Sequence, residues 1–129
     1  MDKPLHVLVV DDEEDVRNVV ANMLVDLGYR VTVARDGKTM RAALEKPDPV
    51  DLIVLDALMP GERSETLAEH VRERNIRLVM ISGNLRVMEQ YQDRSDQLLW
   101  KPFRMTDLKL AVERALGSIT FGQRPEEPS

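Results

Sequence analysis

Polar side chains that could handle a phosphoryl group follow four short apolar segments of the chain. They are Asp11 and Asp12 after residues 7–10, Asp56 after residues 52–55, Ser82 after residues 78–81 and Lys101 after residues 98–100. Apolar segments of this length, with a helix-length stretch after each of the first three, predict buried parallel strands. In an open α/β sheet the ligand site lies outside the carboxyl ends of the strands. One fold would therefore gather all five polar side chains at one edge of a sheet.

The three aspartates indicate the chemistry expected at that edge. Carboxylates held close together repel one another, and such a group responds by binding a proton or a cation. Oxygen ligands favour Mg²⁺, with Mn²⁺ as a second possibility. Asp56 is the predicted nucleophile, because a carboxylate can attack a phosphoryl group and form an acyl phosphate. Ser82 could then donate a hydrogen bond to a phosphoryl oxygen, and Lys101 could supply a positive charge.

Each of these residues also has an ordinary structural interpretation when it is taken alone. An acidic run such as residues 11–15 is favoured at the start of a helix, and Asp56 could be a cap or a turn residue. Ser82 before Gly83 is typical of a turn, and Lys101 could be a solvated strand end. The complete set in this order favours the functional interpretation.

Alternating strands and helices must position these side chains. Strands are predicted at residues 5–10, 31–34, 52–55, 78–81 and 98–100. Helices are predicted at residues 14–27, 38–45, 85–92 and 105–116, with a further helix before the fourth strand that turns Leu67, Ala68 and Val71 inward. Gly28 and Gly117 are the expected helix stops, Asp36-Gly37 a turn, and Met59-Pro60-Gly61 a loop. This pattern predicts a flavodoxin-like, doubly wound α/β fold with five helices and a five-stranded parallel sheet of order 2-1-3-4-5.

Length and composition predict one domain over residues 1–117, followed by a disordered tail over residues 118–129. The chain has no cysteine, and its start lacks the apolar stretch of a signal peptide. No apolar segment approaches the roughly 20 residues that span a bilayer. We therefore expect a cytoplasmic protein without a membrane partner. A net charge of −5, from 18 basic and 23 acidic residues, argues against non-specific nucleic-acid binding.

The ordered set Asp11-Asp12, Asp56, Ser82-Gly83 and Lys101-Pro102-Phe103 resembles the receiver domain of two-component response regulators, over about residues 4–117. The resemblance implies that Asp56 is phosphorylated by a histidine kinase or a histidine phosphotransfer protein. It implies that Asp12 binds Mg²⁺ directly, that Asp11 does so through water, and that Asp56 and the backbone carbonyl of Leu58 are further ligands. Ser82 and Lys101 would bind the phosphoryl group and trigger the switch. Pro102 makes the preceding peptide bond a candidate cis bond.

Two residues and the length of one interval depart from the usual receiver pattern, although Met59-Pro60 matches it. Leu98 stands where the family commonly has an aromatic residue, and neither Tyr91 nor Trp100 fills that position. The interval from Ser82 to Lys101 is shorter by about one helical turn. Ser64 replaces a common glycine. These departures leave the predicted phosphorylation site intact and affect the region through which receivers usually signal.

The predicted function is a stand-alone, phosphorylation-dependent switch that acts on an unknown downstream protein, as a monomer or weak dimer. It would assist its own phosphorylation and dephosphorylation and would not otherwise be an enzyme. One alternative is an aspartate-based phosphatase, although Leu58 occupies the position of the general acid in the Asp-x-Asp pattern of those enzymes. Another is a degenerate receiver that serves as a protein-binding platform. A flavin-binding module is disfavoured because the acidic residues 11–14 would repel phosphate. His6 and His70 are expected to be structural.

Overall fold

Five strands alternate with five α-helices along the chain. The structure is a computed structural model, and it describes residues 4–58, 64–91 and 95–120. The elements are β1 (His6–Val10), α1 (Glu14–Asp26), β2 (Arg30–Ala34), α2 (Gly37–Leu44), β3 (Leu52–Asp56), α3 (Ser64–Glu73), β4 (Arg77–Ser82), α4 (Leu85–Tyr91), β5 (Gln97–Trp100) and α5 (Met105–Thr120). In these ranges no helix is both long and apolar enough to cross a membrane.

The strands form one parallel sheet of order β2-β1-β3-β4-β5, which confirms the predicted fold. In the register of the two central strands, Val10 lies beside Leu55. Asp11 and Asp56 are the next residues along these strands, so they emerge side by side at the carboxyl edge. This register fixes where the predicted site must lie.

The sheet is covered on both faces, and alternate residues of each central strand serve opposite faces. Val7 and Val9 belong to the apolar layer that includes Leu24 of α1 and Leu108 of α5. The layer on the other face contains Leu8 and Val10 together with residues of α2 and α3, including Met40 and Leu67. Every residue of β1 and β3 is buried. The two strands that carry the aspartates are therefore the most enclosed part of the fold.

Helix α2 begins at Gly37, one residue earlier than predicted, because Asp36 and Gly37 form the start of the helix and not a separate turn. Asp36 is the N-cap, and its carboxylate accepts a hydrogen bond from the backbone N–H of Thr39 at 2.8 Å. The Thr39 hydroxyl in turn accepts one from the backbone N–H of Asp36 at 3.1 Å. This reciprocal capping box satisfies two donors at the helix start. The usual sequence signature of this box is absent, because threonine replaces the more common glutamate at the third helical position.

The two glycines predicted as helix stops behave differently. Gly28 has a φ of +101°, and its N–H donates to Val25 while the N–H of Tyr29 donates to Leu24. This Schellman pattern ends α1 where predicted. Gly117 instead lies inside α5, which continues to Thr120. The predicted disordered tail over residues 118–129 is thus corrected for residues 118–120, which are helical.

Several other predictions fall outside the described residues. They are the Met59-Pro60-Gly61 loop, the end of α4 at residue 92 and the tail from residue 121 onward. The other boundaries that were predicted lie within one residue of the observed ones, and α3 extends on both sides of its predicted inward residues.

Gly28→Ala and Gly117→Ala should change stability in opposite directions. A Cβ would meet no atom within 4 Å at either position. Alanine at the positive φ of Gly28 should lower the free energy of unfolding by about 1–2 kcal/mol. Alanine within α5 should raise it by about 0.5–1 kcal/mol. Urea unfolding monitored by circular dichroism measures both, and equal effects of the two substitutions would contradict this assignment of the glycines.

Candidate functional site

The carboxylates of Asp11, Asp12 and Asp56 converge beyond the ends of β1 and β3. One carboxylate oxygen from each residue lies within 4.8 Å of the others. Asp11 and Asp56 are buried, and Asp12 is exposed to solvent. We call these three residues the carboxylate cluster. The structure brings them together as the strand order requires, while their roles as ligands and phosphoryl acceptor stay predictions.

Short local hydrogen bonds orient the two buried members of the cluster. Asp11 Oδ1 accepts a hydrogen bond from the backbone N–H of Glu13 at 2.9 Å. Asp56 Oδ1 accepts one from the backbone N–H of Leu58 at 3.1 Å. Each aspartate thereby binds the turn that follows its own strand, as Asp residues often do in Asx turns. The carboxylates are held by the sheet and its turns rather than by long mobile loops.

Burial and mutual repulsion make the cluster an unfavourable place for negative charge. Burial raises the pKa of Asp56 to about 6, and the neighbouring charge of Asp11 acts in the same direction. The hydrogen bond from Leu58 and the charge of Lys101 partly oppose this rise in the pKa of Asp56. Burial also raises the pKa of Asp11. A bound cation would favour the ionised form of both carboxyl groups.

The cluster fits a divalent cation in both donor chemistry and charge. Its ligand atoms are carboxylate oxygens, which Mg²⁺ and Mn²⁺ prefer. The exposed Asp12 leaves one side of the cluster open to water and to phosphate oxygens. The Leu58 carbonyl stays a predicted ligand. Leu58 closely follows Asp56 in the chain, and its backbone N–H already donates a hydrogen bond to Asp56.

Ser82 and Lys101 flank Asp56 from the ends of β4 and β5. The ammonium nitrogen of Lys101 lies 3.7 Å from Asp56 Oδ2. Ser82 is buried, and its hydroxyl oxygen accepts a hydrogen bond from the backbone N–H of Asn84 at 3.0 Å. The Lys101 backbone N–H donates to the Ser82 carbonyl at 3.0 Å. The peptide bond between Lys101 and Pro102 is cis, which confirms that prediction.

Arg17, which was not among the predicted site residues, reaches the site from α1. Its guanidinium donates a hydrogen bond to the backbone carbonyl of Asp11 at 3.1 Å. Arg17 follows the acidic residues 11–15 and comes about one helical turn after Glu13. A basic residue at that spacing was the available signal.

The histidines lie apart from this chemistry within the described residues. His6 begins β1, at the opposite end from Asp11, and is buried. Its imidazole nitrogens are hydrogen-bonded to the Pro49 carbonyl at 3.0 Å and to the Thr32 hydroxyl at 2.7 Å. His70 lies on α3 and is half-buried. The positions of both residues agree with the structural interpretation.

The family model of the response regulator receiver domain matches residues 7–113. The chain belongs to this family. The matched residues include the carboxylate cluster, Ser82 and Lys101. Solved receiver structures resemble the chain closely. The receiver domain of NtrX from Brucella abortus superposes with a TM-score of 0.80 at 33% identity, covering 87% of this chain and 98% of that one. Chemotaxis response regulator CheY4 of Vibrio cholerae gives 0.79 at 27% identity, covering 88% and 99%.

Curated relatives of this receiver domain are longer proteins. The chain is 34% identical to Protein PetR of Rhodobacter capsulatus, over 90% of this chain and 50% of that protein. It is 30% identical to the uncharacterized transcriptional regulatory protein YrkP of Bacillus subtilis, over 94% of this chain and 53% of that protein. The chain thus spans about half the length of these relatives.

Asp56→Asn should stabilise the metal-free receiver domain at neutral pH. Because the folded pKa of Asp56 is raised from 3.8 to about 6, ionisation of this group costs the folded state free energy. The cost is absent below the unfolded pKa, grows as pH rises from about 4 to about 6, and is constant above. With EDTA present, we expect the variant to unfold with a free energy about 2 kcal/mol higher at pH near 7.5, and less at pH near 4.

Urea unfolding at both pH values measures this difference, with Asp26→Asn as the control. Asp26 is an exposed carboxylate at the end of α1, so its replacement should have little effect at either pH. An Asp56→Asn variant no more stable than the wild type near pH 7.5 would contradict the expected cost of burying this charge.

Proposed function

We propose that this receiver domain is a phosphorylation-dependent signalling switch. Asp56 would accept a phosphoryl group from the phosphohistidine of a histidine kinase or a histidine phosphotransfer protein, in a reaction that requires Mg²⁺ or Mn²⁺. The observation that carries the proposal is the setting of the Asp56 carboxylate. It lies with Asp11 and Asp12 on one side and the Lys101 ammonium 3.7 Å away.

In the transfer, a carboxylate oxygen of Asp56 forms a bond to phosphorus as the bond from phosphorus to the donor imidazole nitrogen breaks. The electron pair of that bond stays on the imidazole, which can take up a proton. Asp56 must be ionised to attack, and the Lys101 charge lowers the pKa of Asp56 toward that form. A divalent cation held by the carboxylate cluster and the Leu58 carbonyl supplies positive charge to the phosphoryl oxygens when it is bound.

After transfer, Ser82 and Lys101 would hold the phosphoryl group. The Ser82 oxygen already accepts the N–H of Asn84, so its own hydrogen is the group it can donate to a phosphoryl oxygen. Lys101 would follow the new charge from the carboxylate to the phosphoryl oxygens. A backbone hydrogen bond joins Lys101 to Ser82. A shift of either residue would therefore affect the ends of both β4 and β5.

Phosphorylation adds a charge of about −1.5 to −2, which can bias a two-state element toward a second arrangement. We propose that the affected element is the segment from Ser82 to Lys101 and that the signal passes to a downstream protein. Leu98 is half-buried and packs against the apolar layer of α2 and α3. An aliphatic side chain there lacks the ring that other receivers commonly move, so we expect the output to depend on β4, α4 and β5 without an aromatic rotation.

We further propose that the domain does not turn over external substrates. The aspartate-based phosphatases carry a general acid two residues after the nucleophile, and Leu58 occupies that position. Its side chain is apolar and 58% exposed, so it has no proton to give to a leaving group. The intact carboxylate cluster likewise favours phosphorylation over a role as a binding platform alone.

Incubation with Mg²⁺ and a small phosphodonor should add the mass of one phosphoryl group to the wild-type protein. Asp56→Asn should show no mass increase because the nucleophile is gone, and Asp26→Asn should behave as the wild type. Intact-mass spectrometry under non-acidic, rapid conditions measures the product, and EDTA should prevent its formation.

An unmodified wild type, or equal modification of wild type and Asp56→Asn, would contradict phosphotransfer to Asp56. Continuous release of phosphate from an excess of a stable organic phosphate monoester would instead support the phosphatase alternative.

A further inference from the structure

Arg17 ties helix α1 to the end of strand β1. Its guanidinium donates to the backbone carbonyl of Asp11 at 3.1 Å, in a partly buried position. The backbone N–H of Arg17 donates to the Glu13 carbonyl at 2.9 Å, which fixes the residue in the first turn of the helix. One side chain therefore bridges the start of α1 and the first residue of the carboxylate cluster.

The turn between β1 and α1 has little other side-chain support. Glu13 is the N-cap of α1, but its side chain makes no capping hydrogen bond. The Asp11 N–H donates to the Ala34 carbonyl at 3.1 Å, and Asp11 Oδ1 accepts the N–H of Glu13. Three contacts, with β2, with α1 and with its N-cap, thus hold Asp11 by its amide, its carbonyl and its carboxylate. Arg17 supplies the contact at the carbonyl, and a substitution there leaves the backbone contacts in place.

The charge of Arg17 also has an electrostatic effect on the turn. Residues 11–15 are five consecutive acidic residues, and their mutual repulsion favours an open turn. Arg17 places a positive charge against the peptide group of Asp11, which opposes that repulsion. Hydrogen bonds that orient metal ligands from outside the first coordination shell commonly change metal affinity by about 10–100-fold.

We propose that Arg17 is a positioning residue, which holds the β1–α1 turn so that the carboxylates of Asp11 and Asp12 are presented to the divalent cation. The inference rests on the proposed function, because it concerns the cation that phosphotransfer would use. Arg17 acts through Asp11 and is assigned no contact with the phosphoryl group.

The direct test is the Mg²⁺ dissociation constant of Arg17→Met. Methionine keeps an extended apolar stem while removing the charge and the donors. Titration followed by the backbone amide signals of Glu13 and Leu58 should give a dissociation constant about tenfold above the wild type. Arg17→Lys keeps the charge and should show a smaller increase. Arg114→Met removes the same charge from an exposed position on α5 and should match the wild type.

A second measurement separates positioning from general damage. With a small phosphodonor, Arg17→Met should be phosphorylated about tenfold more slowly at Mg²⁺ concentrations far below the dissociation constant. Saturating Mg²⁺ should restore the wild-type rate, because the acceptor and Lys101 are unchanged. A merely destabilised protein would be slow, or poorly folded, at both concentrations.

The inference is overturned if Arg17→Met binds Mg²⁺ as tightly as the wild type, if Arg114→Met loses affinity equally, or if saturating Mg²⁺ does not restore the rate. Should Arg17→Met fail to fold, Arg17→Gln, which also removes the charge, is judged by the same criteria. A wild-type protein that binds no Mg²⁺ would overturn the proposed function itself, whereas a binding wild type with an unaffected Arg17→Met overturns the role of Arg17 alone.

Discussion

Repulsion between two buried carboxylates is the interaction on which the rest of this structure depends. Asp11 and Asp56 lie at the ends of adjacent strands, and a carboxylate oxygen of one lies within 4.8 Å of a carboxylate oxygen of the other. Two unit charges about 4 Å apart repel by roughly 1–4 kcal/mol at effective dielectric constants between those of water and a protein surface. Burial adds a desolvation cost, which is why the pKa of Asp56 rises. A bound divalent cation would relieve this unfavourable free energy.

The sheet can hold this arrangement because the strands beneath it are so well buried. Each fully buried Val, Leu or Ile side chain contributes about 1.5–3 kcal/mol, and β1 and β3 together carry eight apolar residues with almost no exposure. Their summed contribution exceeds the repulsion at the strand ends several-fold. The Lys101 ammonium, 3.7 Å from Asp56 Oδ2, offsets part of the negative charge but leaves the cluster with a net negative charge. The carboxylates therefore repel one another while the strands beneath them stay fixed, which suits the proposed response to added phosphoryl charge.

The sheet order and the meeting of the aspartates could be predicted because both follow from periodicity and from the rule that ligands bind beyond the carboxyl ends of parallel strands. Details that depend on single side-chain contacts could not. The capping box at Asp36 and Thr39 uses a residue pair that the usual pattern omits. Gly117 has the residue type of a helix stop, yet α5 continues past it to Thr120. The type and spacing of Arg17 are visible in the sequence, but its contact with a backbone carbonyl depends on a side-chain rotamer that they do not specify.

The most direct test of this account is the titration of the Asp56 carboxyl carbon by NMR, with and without Mg²⁺. In EDTA the account predicts a midpoint at a pKa of about 6, raised chiefly by burial. Saturating Mg²⁺ should lower that midpoint by more than one pH unit, because the cation favours the ionised form. A metal-free midpoint at the ordinary value of an aspartate, or one that Mg²⁺ does not change, would contradict the claim that strained carboxylates prepare this site for its chemistry.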